Sequence, residues 1–296
     1  MEKKKVAING FGRIGRQFLK VALENKSLDI AAINDLGDIE NLAYLLEFDS
    51  TYGHYDKKVE TEDNKFIING KTIKYFSEPN PEKLPWKELN IDIVVESTGR
   101  FTSYEKAKAH LDAGAKRVAL SAPAKDEETV TFTPNVNETA IKNSKITSNA
   151  SCTTNAITPI VSIMAKSVGI KSSIINTIHG YTAEQSLVDG PMPPLHKDFR
   201  RGRAAGFNII PTSTGAGIAA AKAIPEMQNK FDGIALRVPI IVGSILDFTF
   251  ISKRETSVEE INAILFREAQ KDECKDILEV TDKPLVSSDI IKNSHG

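Results

Sequence analysis

Only two cysteines, Cys152 and Cys274, occur in 296 residues, too few and too far apart for a disulfide framework. No paired-Cys or His cluster stands at metal-ligand spacing, so no metal site is expected. Neither sign of charge dominates: 38 Lys and Arg oppose 39 Asp and Glu. That balance removes the basic stripe a nucleic-acid binder needs. No apolar run approaches the roughly 20 residues that span a bilayer. The chain does not open on a positive, apolar, small-residue leader, which points to a cytoplasmic protein with no membrane partner. The length exceeds what a single core usually supports, and the 41% hydrophobic content can fill two.

What is present begins at residues 5–9, Lys-Val-Ala-Ile-Asn, a short buried strand that runs into Gly10-Phe11-Gly12-Arg13-Ile14-Gly15-Arg16 and a helical pattern to Glu24. This is G-x-G-x-x-G in its required context. Gly10 allows the tight turn, Gly12 lets backbone approach a pyrophosphate, and Gly15 lets helix pack on strand, with Arg13 and Ile14 in the first helical turn. A second strand over 29–34 ends at Asp35, at the distance where an acid accepts both ribose hydroxyls, which favours NAD over NADP. Asn69-Gly70 between 65–69 and 71–76 marks a hairpin. Strand 91–96 ends in Ser97-Thr98-Gly99, and strand 116–120 ends at Ser121. Strand ends line the ligand crevice of such sheets, so these four residues are candidate cofactor contacts.

Strand 145–148 leads to Ser148-Asn149-Ala150-Ser151-Cys152-Thr153-Thr154-Asn155 and a helix from Cys152 to Ser167. A thiol at a helix start sits where backbone N–H groups and the dipole favour thiolate, which makes Cys152 a candidate nucleophile. Cys274 reads as an ordinary helix residue. A β-branched strand over 172–178 ends at His179, which can act as base or acid if it meets Cys152. The long loop 181–208 carries Gly190-Pro191-Met192-Pro193-Pro194 and a basic run, Lys197, Arg200, Arg201 and Arg203; a loop of this length is normally functional or disordered. The turn 212–217, Thr-Ser-Thr-Gly-Ala-Gly, opens an Ala-rich helix and suits an anion. Arg237, inside an apolar strand, requires a carboxylate or bound anion opposite it. The alternation is α/β, with a Rossmann-type doubly wound parallel sheet expected over residues 1–151.

Residues 9–16, Ser148 to Asn155 and Arg237-Val238-Pro239, all in order, resemble the phosphorylating glyceraldehyde-3-phosphate dehydrogenase family. The resemblance implies an NAD-dependent glycolytic enzyme in which Cys152 adds to the aldehyde and His179 is its base. It implies that Ser151, Thr153, Thr214 and Gly215 bind inorganic phosphate, that Thr182 and Arg237 hold the phosphate of glyceraldehyde 3-phosphate, and that Arg201 serves the anion sites. It also implies an α+β catalytic domain with a mostly antiparallel sheet over residues 152–296, and a homotetramer. Glu184 departs from the family's usual Asp, and the loop around Pro191 to Pro194 is longer, so the basic assignment could slip among Arg200, Arg201 and Arg203. In the family further strands, an Asn-containing aromatic segment near the nicotinamide and a final helix follow the position of Gly296, which implies a C-terminally truncated chain. Erythrose-4-phosphate dehydrogenase and an NAD-binding protein without turnover remain alternatives at this level.

Overall fold

The computed structural model describes residues 2–192 and 198–295. Pro193, Pro194 and Lys197 of the long loop lie outside the described residues. The chain divides into two compact units, Met1–Phe132 with Thr139–Ala150, and Thr133–Glu138 with Ser151–Gly296.

In the first unit β1 (Lys4–Asn9), α1 (Arg13–Glu24) and β2 (Leu28–Asn34) form a parallel βαβ repeat. There follow α2 (Ile39–Glu47), the two-residue strands β3 (Phe48–Asp49) and β4 (Gly53–His54), and the antiparallel run β5 (Val59–Glu62), β6 (Lys65–Ile68) and β7 (Lys71–Phe76). The β6–β7 turn works because Asn69 and Gly70 both take positive φ, 49° and 81°, the twist a two-residue hairpin needs. Then come β8 (Ile93–Glu96), α3 (Tyr104–Asp112), β9 (Arg117–Leu120), β10 (Val130–Thr131) and β11 (Ile146–Ser148). The sheet order is β10-β11-β9-β8-β1-β2-β7-β6-β5, and β10 through β7 are parallel. β1 lies between β2 and β8, where the winding reverses, and strand C-termini at such a reversal open a ligand crevice. Each face of β1 is sealed: Ile8, Phe11 and Leu19 belong to one core and Ala7, Trp86 and Val94 to another.

In the second unit α4 (Cys152–Ser167) precedes β12 (Ile170–Gly180), β13 (Ile210–Ser213), α5 (Ala216–Ala223), β14 (Phe231–Val238), β15 (Ser244–Ser252) and α6 (Val258–Ala269). The sheet order is β13-β14-β12-β15, with antiparallel pairings except β12–β14, so this sheet is mixed and mostly antiparallel. Alternation along β12 and β14 puts Ile175 and Phe231 into the core with Val161 and Met164 of α4. Ser257 caps α6 by accepting from the Glu260 N–H at 3.2 Å.

Three features differ from the sequence reading. The strands β3, β4 and β10 are too short to carry a period, so pattern alone does not find them. Cys274 lies in a turn after α6, not in a helix; it is buried, its thiol takes a hydrogen bond from Asn135 at 2.8 Å, and burial raises its pKa. Residues Thr133–Glu138 belong with the second unit, where Val136 packs on the core of α4.

The glycine turn separates stability from ligand space. A Cβ on Gly15 would lie 2.1 Å from the Gly10 carbonyl oxygen, whereas one on Gly12 would meet nothing within 4 Å. Gly15→Ala is therefore expected to cost about 2 kcal/mol of stability by overpacking, and Gly12→Ala close to none. Urea denaturation of the two variants side by side checks this, and equal midpoints would contradict it.

Candidate active site

The turn that follows β11 contains one unusual backbone conformation. Ala150, two residues before α4 begins at Cys152, takes φ +56°, a left-handed conformation uncommon outside glycine. Ser151 is the N-cap, its Oγ accepting the Thr154 N–H at 3.1 Å and lying 3.1 Å from Thr153 Oγ1. Cys152 is exposed, and its Sγ stands 3.4 Å from His179 Nε2. β12 delivers His179 at its last turn of pleat, beside Arg237 on the adjacent β14, its register partner.

The imidazole is poised between two states. Its Nδ1 lies 2.6 Å from the Gly180 carbonyl and 2.9 Å from Arg237 Nη1, which itself donates to that carbonyl at 3.0 Å. With a proton on Nδ1, His179 donates to Gly180 and turns a bare Nε2 toward the thiol. With Nδ1 bare it accepts from Arg237 and presents Nε2–H instead. The pair can thus take a proton from Cys152 and return one. Burial lowers the His179 pKa, and the Arg237 charge adds to that, against the hydrogen bond to Gly180, so the imidazole stays neutral further into acid.

Behind His179 is an anion-shaped cluster. Burial, then the Arg201 charge, lower the Arg237 pKa. Glu184 answers them in this structure: it pairs with Arg201 and lies 3.9 Å from Arg237. Thr212 Oγ1 accepts from Arg201 Nε and Nη2 at 3.2 and 2.8 Å, a holding role the sequence did not signal. Arg237 Nε and Thr182 Oγ1 are buried without a hydrogen-bond partner. Arg200 pairs with Asp198 and Arg203 with Asp189, both largely exposed, so among these three Arg201 is the one turned toward Arg237. Thr214 and Gly215 sit at a separate helix start, leading from β13 into α5.

In the first unit five of the cofactor candidates, Gly10, Gly12, Asp35, Ser97 and Thr98, line one cavity of about 270 Å³, whereas Arg13, Ile14, Gly15, Gly99 and Ser121 are not among its lining residues. The Asp35 carboxylate accepts the Phe11 N–H at 2.6 Å and the Gly37 N–H at 2.8 Å, tying the end of β2 to the glycine turn. Gly10 has φ +94°, and a Cβ there would meet the Thr98 backbone nitrogen at 2.6 Å. Ser97 Oγ donates to the Gly10 carbonyl at 2.6 Å, while Ser121 Oγ donates to the Glu96 carbonyl at 3.1 Å. Ile14 is exposed, Arg13 opens α1, and Gly99 takes φ +72° beyond the strand end. The space at Gly12, before a helix start with no side-chain cap and no acidic residue in its first turn, fits a dinucleotide pyrophosphate. Among the described residues no group of three or more His, Cys, Asp or Glu is placed to hold a metal. No described helix is long and apolar enough to cross a membrane.

Residues 4–104 match the family model described as the glyceraldehyde 3-phosphate dehydrogenase NAD binding domain, and residues 151–296 match that of its C-terminal domain. The chain belongs to the glyceraldehyde-3-phosphate dehydrogenase family. It is 47% identical to the glyceraldehyde-3-phosphate dehydrogenase of Borreliella burgdorferi, covering 99% of this chain and 88% of that protein. It is 46% identical to that of Clostridium pasteurianum, over 99% and 85%, and 46% identical to that of Geobacillus stearothermophilus, over 96% and 84%. The family's first domain binds NAD, and the cavity beside Gly12 and Asp35 lies in that domain.

Two outcomes test this geometry. Because His179 is held below its ordinary titration range, the acid limb for alkylation of Cys152 by iodoacetamide is expected below pH about 6.5. Arg237→Leu removes a charge that opposes imidazolium and should move the limb upward; a downward shift would contradict the assignment. The same depression makes the folded site bind fewer protons than the unfolded chain, so this contribution to stability is lost as pH falls through that window. Separately, Glu184→Gln removes the carboxylate facing Arg201 and Arg237. Calorimetry should show sulfate binding tightened roughly two- to fivefold, a modest gain because Glu184 is partly exposed.

Proposed function

We propose that this chain oxidises glyceraldehyde 3-phosphate with NAD and inorganic phosphate to 1,3-bisphosphoglycerate, through a thioester on Cys152. The observation that carries the reading is the Cys152 Sγ to His179 Nε2 approach of 3.4 Å at a helix start, with Arg237 behind it. We assign cofactor binding to residues 1–151 and the reaction to residues 152–296.

His179, with Nδ1–H on the Gly180 carbonyl, takes the thiol proton, and Cys152 Sγ bonds to the aldehyde carbon. The carbonyl oxygen becomes an alkoxide that Nε2–H of the imidazolium, and the N–H groups at the start of α4, stabilise. Residues around Gly12 and Asp35 would hold NAD, which would supply the hydride acceptor. As the hydride leaves, the hemithioacetal C–O⁻ becomes the thioester carbonyl, and His179 still holds the proton it took from the thiol, which it gives up to solvent before the next turnover. Inorganic phosphate attacks the thioester carbon, the C–S bond breaks, and the thiolate and the acyl phosphate result. Ser151 and Thr153, whose hydroxyls already cluster beside Cys152, with Thr214 and Gly215, are the donors proposed for that phosphate. Arg237, Arg201 and Thr182 are proposed for the phosphate of the substrate, which would displace Glu184 and give partners to Arg237 Nε and Thr182 Oγ1.

We further propose a cytoplasmic homotetramer. The face of the β12–β15 sheet opposite its core exposes Ile174, Ile234, Ile245 and Ile251, each roughly 60% accessible, more apolar surface than an unpartnered sheet face usually shows. The curated relatives carry the triose-phosphate name, and nothing in the site favours a four-carbon aldehyde.

NADH formation should require both glyceraldehyde 3-phosphate and inorganic phosphate. Cys152→Ser should lower it by a factor of ~10³ or more, since removing a nucleophile disables the unit it works in. Turnover without phosphate, or an undiminished serine variant, would refute the thioester route.

A further inference from the structure

The first unit contains a buried carboxylate that the reaction scheme does not use. Glu96 ends β8 and its side chain is wholly withdrawn from solvent. Four donors answer it. On Oε2 are Asn9 Nδ2 at 2.5 Å and His110 Nε2 at 3.1 Å; on Oε1 are the Thr98 N–H at 2.8 Å and the Thr98 hydroxyl. The proton positions follow from chemistry. Trp86 Nε1 can only donate, and it lies 3.1 Å from His110 Nδ1, so Nδ1 is bare and neutral His110 carries its proton on Nε2, toward Glu96.

Beside His110 on α3, Glu96 grips the ends of two neighbouring strands, and through Asn9 it reaches a third. Asn9 ends β1 and takes the Asn34 Nδ2–H at 2.7 Å through its own oxygen, and Asn34 ends β2. Thr98 follows β8. Asn9, Asn34 and Thr98 all line the cavity at Gly12 and Asp35. The Thr98 hydroxyl, held by the carboxylate, in turn accepts the Arg100 N–H at 3.0 Å, and Arg100 lines the same cavity.

We propose that Glu96 is a positioning residue for NAD: as an anion with every lone pair used, it locks the mutual register of these strand ends, and so the shape of the cofactor cavity, without touching the cofactor. The proposal rests on the functional reading above. Glutamine is the discriminating replacement. Its amide oxygen can still accept from Asn9 and His110, leaving the Trp86 side intact, but its NH₂ then faces the Thr98 N–H, two donors without an acceptor between them. The damage falls on the side that lines the cavity.

In the full chain, Glu96→Gln is expected to raise the calorimetric Kd for NAD about tenfold. The KM for glyceraldehyde 3-phosphate should stay within about twofold of the parent. Emission from Trp86, the sole tryptophan, should be unchanged, reporting an intact His110 contact. If the glutamine variant does not fold, Thr98→Val removes only the hydroxyl arm and should weaken NAD about threefold with the same selectivity. Parent-like NAD affinity in the folded variant overturns the inference, as does a parallel loss of NAD and aldehyde affinity, which would mean a general loosening. A parent chain that binds no NAD overturns the functional reading together with it.

Discussion

The Glu96 carboxylate lies wholly inside the first unit and accepts four hydrogen bonds, whereas in the second unit Arg237 Nε and Thr182 Oγ1 are buried and accept or donate none. A polar group withdrawn from water costs free energy unless a partner replaces the water. Around Glu96 the first unit meets that demand within itself, tying Asn9 and Thr98 to one carboxylate. The second leaves it partly unmet around two guanidinium groups, and Glu184 stands in as the anion. This pairing of two guanidinium groups with one carboxylate, beside donors without partners, is what supports the phosphate site proposed above.

Backbone geometry fixes where the chemistry happens. Gly10 and Gly15 allow β1 and α1 to approach more closely than any side chain would permit, leaving open space at Gly12 before an uncapped helix start. At the other helix start the left-handed Ala150 stands two residues before Cys152, which opens α4 beside the end of β12. In both cases a strand end feeds a helix N-terminus, where partial positive charge gathers.

Much of the architecture was legible. The βαβ repeat around Gly10-Phe11-Gly12, the hairpin at Asn69-Gly70 and the helix from Cys152 to Ser167 follow from turn chemistry and hydrophobic period. Strands of two residues, such as β3 and β10, have no period to read. Cys274 was misplaced because its neighbours are good helix formers, while the chain there closes in a turn on Asn135. Thr212 reads as part of the anion-suited turn and stands instead in β13, holding Arg201 from 11 residues away; Glu96 gave no signal, reading as the polar end of a buried strand, and its partner Asn9 lies 87 residues away.

By itself, the sequence determined the residue types and local backbone: a glycine turn after a strand, a cysteine opening a helix, a histidine closing a strand. These depend on neighbours within a few positions, where sterics and capping decide. Only the tertiary structure decided that His179 Nε2 faces Cys152, that Arg201 and not Arg200 or Arg203 turns toward Arg237, and that Glu96 joins Asn9, Thr98 and His110. Each is a contact between strands or loops far apart in the chain, set by sheet register and by the need to pair buried polar atoms, and no local pattern records it.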